Sequence, residues 1–564
     1  MFGSQKPQGR RRNNWLNDVF IRLLAVLFFC SGAAASALDD DIAAFTEDAG
    51  GQSASIESLE RNQLRLLGTR LTVFLTHDSG GGLDLDSLHL FIDSRPVASK
   101  VYALQEQPVL NADGAEQLYV GHVARGDHEL KVVVTARSAD GDFVRREATH
   151  LFTKHSWALA VRLNLSANAP AFEPRVSFDV KQVSEEEIAF DDPDVNHAHD
   201  RESSSSRTEA HRKARFDLAE SHRSAGRLQK AGEILAAMPE GYWAAAGYLN
   251  LASDFAREDL DPSRALVALR VAMAMAKAED GDERSRQLHD QALLRAGYLA
   301  YRNREFEKAI GFLESVSLDG PSTPRALYFH GLALTERGNH RAAMQSWHRA
   351  RKFPLAYPGA AEAWIGMGRG YDLAGYLGQA GEAYLAANAA YESERVVLRT
   401  LRDQVRTEGA YQALVADAKA SDLEWFLADS RSMQQPRLAY LLEFLKQPSA
   451  QRAVGRVATL AALEKRLTTH SYDLEVFASA LKSSQASVPG TAVTKVSQLQ
   501  GSNDRYLERL ADLRNTAEKE LDQKVLAFLD HQDQRMVFAL NKTEQQIAHL
   551  YEYLALETLE GRGQ

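Results

Sequence analysis

Between Leu218 and Ala387 the sequence repeats itself, and no other feature constrains the architecture so tightly. The sharpest copy reads Trp364-x2-Met367-Gly368-x2-Tyr371-x3-Gly375-x4-Ala380-x3-Tyr384-x2-Ala387. Before it stand Leu327-x3-Gly331-x2-Leu334-x3-Gly338-x4-Ala343-x3-Trp347-x2-Ala350 and, earlier still, Leu293, Ala296, Gly297, Ala300, Ala309, Leu313 and Pro321. Two fainter copies precede these: Leu218-Ala219-x2-His222-x3-Gly226-x4-Ala231-x3-Leu235, and Ser253, Ala265, Leu269 and Ala272 in the same frame. Equivalent positions fall at 219, 253, 297, 331 and 368, at intervals of 34, 44, 34 and 37, and the long interval holds the charged insertion Glu279-Asp280-Gly281-Asp282-Glu283. A period of this length is one helical hairpin per repeat. Small residues at the eighth and twentieth positions let the two helices approach, and large ones at the fourth, eleventh and twenty-fourth fill the space between hairpins. One hairpin cannot bury both its faces, so the stack is what folds.

The five copies resemble the tetratricopeptide repeat (TPR) family through both helices of the repeat, departing in the sharpest copy at the closing proline, where Glu392 stands. The resemblance implies a superhelical stack whose inner groove is lined by positions 2, 5, 9, 12 and 13 of each first helix. Those positions are Lys213, Phe216, Glu220 and Arg223 in the first copy and Gln291, Leu294, Tyr298, Tyr301 and Arg302 in the third. They are Arg325, Tyr328, Leu332 and Glu336 in the fourth, and Glu362, Ile365, Arg369 and Asp372 in the fifth. Tyr298, Tyr301, Arg302, Arg325, Tyr328 and Arg369 are therefore the candidate protein-binding residues, because aromatics mixed with arginines dominate protein interfaces. The competing reading has these tyrosines pack between repeats. Relatives that clamp a peptide C-terminus carry asparagine at position 9, where this chain has Glu220, Asp254, Tyr298, Leu332 and Arg369, so that mode of binding is not expected.

Around the array the sequence predicts an α+β multidomain chain, with an N-terminal immunoglobulin-like β-sandwich, the α-helical TPR solenoid and a C-terminal long-helix region. Short alternating runs such as Leu71-Thr72-Val73-Phe74-Leu75 and Leu130-Lys131-Val132-Val133-Val134, punctuated by Asp78-Ser79-Gly80-Gly81-Gly82 and Asp140-Gly141-Asp142, mark the sandwich over residues 69–183. Residues 38–68 form an unassigned N-terminal segment. Residues 184–210 are acidic and serine-rich with few large apolar side chains, the composition of a disordered linker. The array occupies 211–390, irregular helical repeats follow over 391–490, and 491–564 read as a long, coiled-coil-like helix. Leu510, Leu513, Ala517, Leu521, Val525, Leu529, Met536, Leu540, Ile547 and Leu554 draw one apolar stripe along it, to be buried either within the chain or in a homo-oligomer.

Residues 1–37 resemble a signal peptide. Arg10, Arg11 and Arg12 lead, Leu23 to Cys30 is apolar, and Ala35-Ser36-Ala37 is a small-residue cleavage site. Cys30 is the only cysteine, and Phe29 before it argues against lipidation. Cleavage would change the net charge from -10 to -14 and leave no thiol, hence no disulfide and no thiolate metal site. An acidic chain of this kind is not expected to bind nucleic acid. With 45% hydrophobic and 25% charged residues it has the composition of a folded globular protein, peripheral to a membrane at most. His197-Ala198-His199-Asp200 lacks further ligands nearby, and no phosphate loop, nucleophile elbow or H-E-x-x-H helix occurs, so neither metal nor cofactor is called for. The expectation is a non-enzymatic, exported, periplasmic scaffold that binds envelope proteins through the repeat groove. The alternative is a carbohydrate- or peptidoglycan-binding module with the sandwich as reader.

Overall fold

The computed structural model describes residues 37–64, 67–78, 83–102, 115–138, 143–168, 173–182, 195–258, 262–277, 283–413, 436–483 and 490–561. The expected signal peptide with Cys30, and the first part of the expected linker, lie outside them. Two compact units emerge, and neither is continuous in sequence. The first comprises the described part of Ala35–His199 with Arg456–Asn515; the second comprises Asp200–Gly455 with Thr516–Gln564.

The first unit opens with helix α1 (Ala37–Leu59) and a short π-helical turn (Glu60–Leu64). Eight strands follow: β1 (Arg70–Asp78), β2 (Leu83–Ile92), β3 (Arg95–Val101), β4 (Ala115–His122), β5 (Gly126–Ser138), β6 (Phe143–Lys154), β7 (Leu159–Asn168) and β8 (Glu173–Gln182). They form two four-stranded sheets, ordered β4-β1-β7-β8 and β3-β2-β5-β6. Every pairing is antiparallel except β1 with β7. Alternate residues point inward from both sheets into one core, among them Leu71, Val73 and Leu75 of β1, Leu88 and Leu90 of β2, Leu130, Val132 and Val134 of β5, and Val161, Leu163 and Leu165 of β7. Two facing sheets agree with the expected sandwich at that level.

The N-terminal segment left unassigned by sequence is helical, and it does not stand alone. Ile42, Phe45, Ala49, Gln52, Ile56 and Leu59 share the buried face of α1. That face packs on two later helices, α13 (Pro448–Ser483) and α14 (Gly490–Gly561), through Phe45 and Ala49 with Leu463, Leu467 and Leu510, and through Ile56 and Leu59 with Leu474, Phe477 and Val496. A buried amide pair, Gln52 donating to Asn503 at 3.2 Å while Asn503 donates to the Leu467 carbonyl at 3.0 Å, and the two-pronged Arg456–Asp39 pair at 2.6 and 2.8 Å fix the register. Where this bundle meets the sandwich, the His122 ring touches Phe477 edge-on at 4.6 Å and lies 3.0 Å from the Thr69 hydroxyl and 3.3 Å from Glu60.

The second unit is the repeat array. Its hairpins are α2 (Val195–Ser224) with α3 (Leu228–Ala236), α4 (Tyr242–Glu258) with α5 (Ser263–Lys277), α6 (Glu283–Arg302) with α7 (Phe306–Glu314), α8 (Thr323–Glu336) with α9 (His340–Ala350), and α10 (Ala360–Leu373) with α11 (Leu377–Glu408). The expected disordered linker needs correction: from Val195 it is the leading part of α2. Extending a nucleated helix costs far less than starting one, and Glu209 is held by a 2.8 Å bond from the Trp243 indole. The small-against-large pairing inferred from the spacing is present. A methyl group at Gly331 would lie 2.3 Å from Trp347 Nε1, and one at Gly368 would lie 2.4 Å from the Tyr384 ring, so both positions require glycine's missing side chain.

Beyond the array, α12 (Pro436–Leu445) and α13 each begin at a proline, which suits the first turn of a helix. From Thr516 onward α14 runs antiparallel to α11, with Asn388 bonded to Thr543, Arg395 paired with Asp533 at 3.0 Å, Arg402 with Asp530 at 2.5 Å, and the Ala410 amide donating to Asp522 at 2.6 Å. The apolar stripe from Leu510 to Leu540 is buried within the chain and runs out at Leu554, which is 37% exposed. Among the described residues no helix is long and apolar enough to cross a membrane.

Candidate functional site

Helices α6 and α8 lie side by side in neighbouring repeats, and the family frame that singles out Tyr298, Tyr301 and Tyr328 brings them together. The three rings gather around a fourth, Phe329, which the frame skipped because it occupies position 6. Centroid distances to Phe329 are 4.9 Å from Tyr298, 6.2 Å from Tyr301 and 5.5 Å from Tyr328, all tilted, and Phe306 of α7 closes on Tyr301 at 5.9 Å. Such tilted contacts suit the ring quadrupoles. None of the four rings at Tyr298, Tyr301, Tyr328 and Phe329 is fully covered. Burial pushes the Tyr328 hydroxyl up to about 12, with Glu362 and Tyr301 adding and Arg369 opposing. Burial also raises Tyr301, with Glu336 adding and Arg369 opposing. Both tyrosines remain neutral donors at physiological pH.

Arg302, Arg325 and Arg369 are exposed, and none has a carboxylate at ion-pair distance among the described residues. Arg325 instead lies over the Phe329 ring at 5.8 Å. In the first two repeats the charges at the corresponding positions are already paired: Arg223 binds Glu220 at 2.8 Å and Asp254 at 2.6 Å, Asn250 donates to Glu220 at 3.3 Å, and Arg257 binds Asp254 at 2.5 Å. The carried-over frame fails at Phe216, which is buried against Trp243 at 5.3 Å, and at Leu294, which belongs to the core between repeats. A large apolar side chain at position 5 gains more from the neighbouring hairpin than from a solvated groove.

The fifth repeat presents its inner positions to the chain itself. Glu362 lies 3.6 Å from Arg535, and Ile365 packs with Ile547 and Leu550 of α14. Between α8 and α10 on one side and α12 and α14 on the other remains a cavity of about 500 Å³, whose lining includes Arg325, Tyr328, Phe329, Phe528 and His531. Tyr328, Phe329 and Arg325 thus belong both to the aromatic cluster and to the cavity wall. Two histidines outside the cluster are engaged locally: His128 sits 2.6 Å from Asp93 and His330 2.8 Å from the Ser346 hydroxyl. Among the described residues no group of three or more His, Cys, Asp or Glu is arranged to hold a metal ion.

No family model and no curated protein matches the sequence. Solved structures similar to parts of it include the crystal structure of MamA, at 18% identity over 31% of this chain and 96% of that one, with a TM-score of 0.26. A putative kinesin light chain from Podosopora anserina with nearly identical TPR-like repeats has 17% identity over 32% of this chain and 95% of its own, with a TM-score of 0.25. A tetratricopeptide repeat protein from Parabacteroides merdae has 16% identity over 51% of this chain and 98% of its own, with a TM-score of 0.25. The array of helical hairpins is defined by the spacing and packing within this chain.

Proposed function

We propose that the chain is a non-catalytic scaffold of an exported envelope complex, working in the periplasm, and that it holds a partner protein against the aromatic face of α6 and α8. One observation carries this reading: four incompletely covered rings with the exposed Arg325 and Arg369 beside them, neither in an ion pair among the described residues, on a chain whose net charge is -10. In the first two repeats the corresponding charges are matched by neighbours; here aromatic area and guanidinium donors remain for another molecule. The direct test is the variant Tyr301→Ala with Arg302→Glu, compared with wild type for co-purification of envelope proteins from the native host. Loss of capture at an unchanged melting temperature supports the reading. An early-melting variant would make the cluster internal packing.

A glycan-reading role for the sandwich has one observation of its own: Trp157, 38% exposed, tilted against His155 at 4.7 Å. Retention of the chain on muropeptides, lost on Trp157→Ala, would favour that role.

A further inference from the structure

The last turns of α14 leave the second unit with an apolar end that its described residues do not cover. Helices α11 and α14 run antiparallel, with Asn388 bonded to Thr543. Eleven residues back toward the start of α11 is Leu377, and eleven onward along α14 is Leu554, so α14 continues past the start of α11 to Gly561, about 10 Å at the rise of a helix. Up to that level the two helices share an apolar seam, in which Leu377, Ala380 and Tyr384 pack with Ile547 and Leu550. There the cover ends. Tyr551, Tyr553, Leu554 and Leu556 are 66%, 55%, 37% and 59% exposed, and Leu373 at the end of α10 and Tyr376 just before α11 are 47% and 56% exposed. Single exposed leucines need no explanation, but large apolar side chains concentrated at one end of a helical stack mark a contact surface.

Charge at this end is of one sign. Residues 370–394 carry four acids and residues 543–561 another four, and neither stretch contains a lysine or an arginine. Glu392 is paired with Arg395 at 3.6 Å, and Glu394 is buried and accepts from the Tyr440 hydroxyl at 2.6 Å. Asp372, Glu382, Glu544 and Glu552 have no cation at ion-pair distance among the described residues. We propose that this end of the array docks a basic amphipathic helix of a partner protein, which takes along α14 the place that α11 leaves empty and turns its lysines or arginines toward these carboxylates. Continuity with the seam supplies the helix, because α11 already packs in that manner on the preceding turns of α14. Charge supplies the rest: a second copy of the chain would set acids against acids, and an anionic membrane surface repels the same carboxylates. The surface is separate from the aromatic face of α6 and α8 and does not depend on it.

The probe is a pair of synthetic helical peptides of about 18 residues, five turns, with leucine on one face and either lysine or glutamate on the other, each titrated into the full chain by fluorescence anisotropy. The lysine peptide should bind and its glutamate twin should not. Tyr553→Ser with Leu556→Ser, which changes no charge, should weaken the lysine peptide roughly tenfold; Leu373→Ser with Tyr376→Ser serves as the second variant should the first melt early. Tyr301→Ala should leave that affinity unchanged, so failure here and failure of the proposed groove are told apart. Equal binding of the two peptides would overturn the proposal. So would a lysine peptide indifferent to both double variants, which would reduce its attraction to the net charge of -10. A dimer in sedimentation equilibrium that Tyr553→Ser with Leu556→Ser converts to a monomer would give the surface to a second copy instead. Flotation with phosphatidylcholine vesicles, lost in the same variant, would give it to a membrane.

Discussion

At Arg304 the backbone takes φ of +60°, in the repeat position that Gly226, Gly338 and Gly375 occupy at +73°, +77° and +81°. A side chain in the left-handed region costs about 1 kcal/mol that glycine does not pay. Arg304→Gly is therefore expected to stabilise the array by about 1 kcal/mol, read as a higher midpoint in urea titration; a lower midpoint would mean that the arginine's own contacts outweigh its strain. Lys154 presents the opposite case. It is 1% exposed, and its ammonium donates to the carbonyls of Gly68, Trp157 and His155. Lys154→Ala leaves buried carbonyls unmatched and should destabilise the first unit by about 2–4 kcal/mol. A variant that melts like wild type would show those carbonyls to be satisfied without it. The proposed binding face was only partly legible at this scale. The tyrosines followed from the register, whereas Phe329, on which they converge, occupies a position the family frame does not mark as groove-facing.

Helix by helix, what could be read from sequence was what closes over short separations. The hairpins were legible because Gly331 and Trp347, or Gly368 and Tyr384, lie within one repeat of each other. The role of α1 was not, although Ile42, Phe45, Ala49, Gln52, Ile56 and Leu59 step by three and four; its partners come from helices near the other end of the chain, and the Gln52–Asn503 bond spans 451 residues. For the apolar stripe of α14 the sequence left two burials open, and packing within the chain accounts for it. Leu529 and Met536 are fully covered and Leu540 nearly so. Removing residues 516–564 should lower the stability of the array by several kcal/mol, at roughly 2 kcal/mol for each buried aliphatic side chain. Calorimetry checks this directly. An unchanged melting temperature, with a dimer converted to a monomer in sedimentation, would return the stripe to an intermolecular coil.

Taken as a whole, the molecule is two units threaded twice by one chain, and each carries a different test. In the first, burial pushes Asp473 up to about 6, partly offset by His122 and Arg95 and reinforced by Glu60. An acid whose folded value lies above its unfolded value binds more protons when native, so stability falls as pH rises from about 4 to about 6. Asp473→Asn should match wild type near pH 4 and exceed it by about 2–3 kcal/mol at pH 7; equal stability at both pH values would contradict the shift. In the second unit, the proposed scaffold role requires the face built from Tyr298, Tyr301, Tyr328 and Phe329 to meet another protein. A photo-crosslinking amino acid placed at Tyr298 in the full chain, expressed in its native host, measures this most directly. The predicted result is one dominant protein adduct that disappears when Arg302→Glu and Arg369→Glu are added, while the same crosslinker at Gln379, exposed at the start of α11, yields none. Adducts only from a crosslinker at Trp157 on the sandwich, with Tyr298 silent, would contradict it.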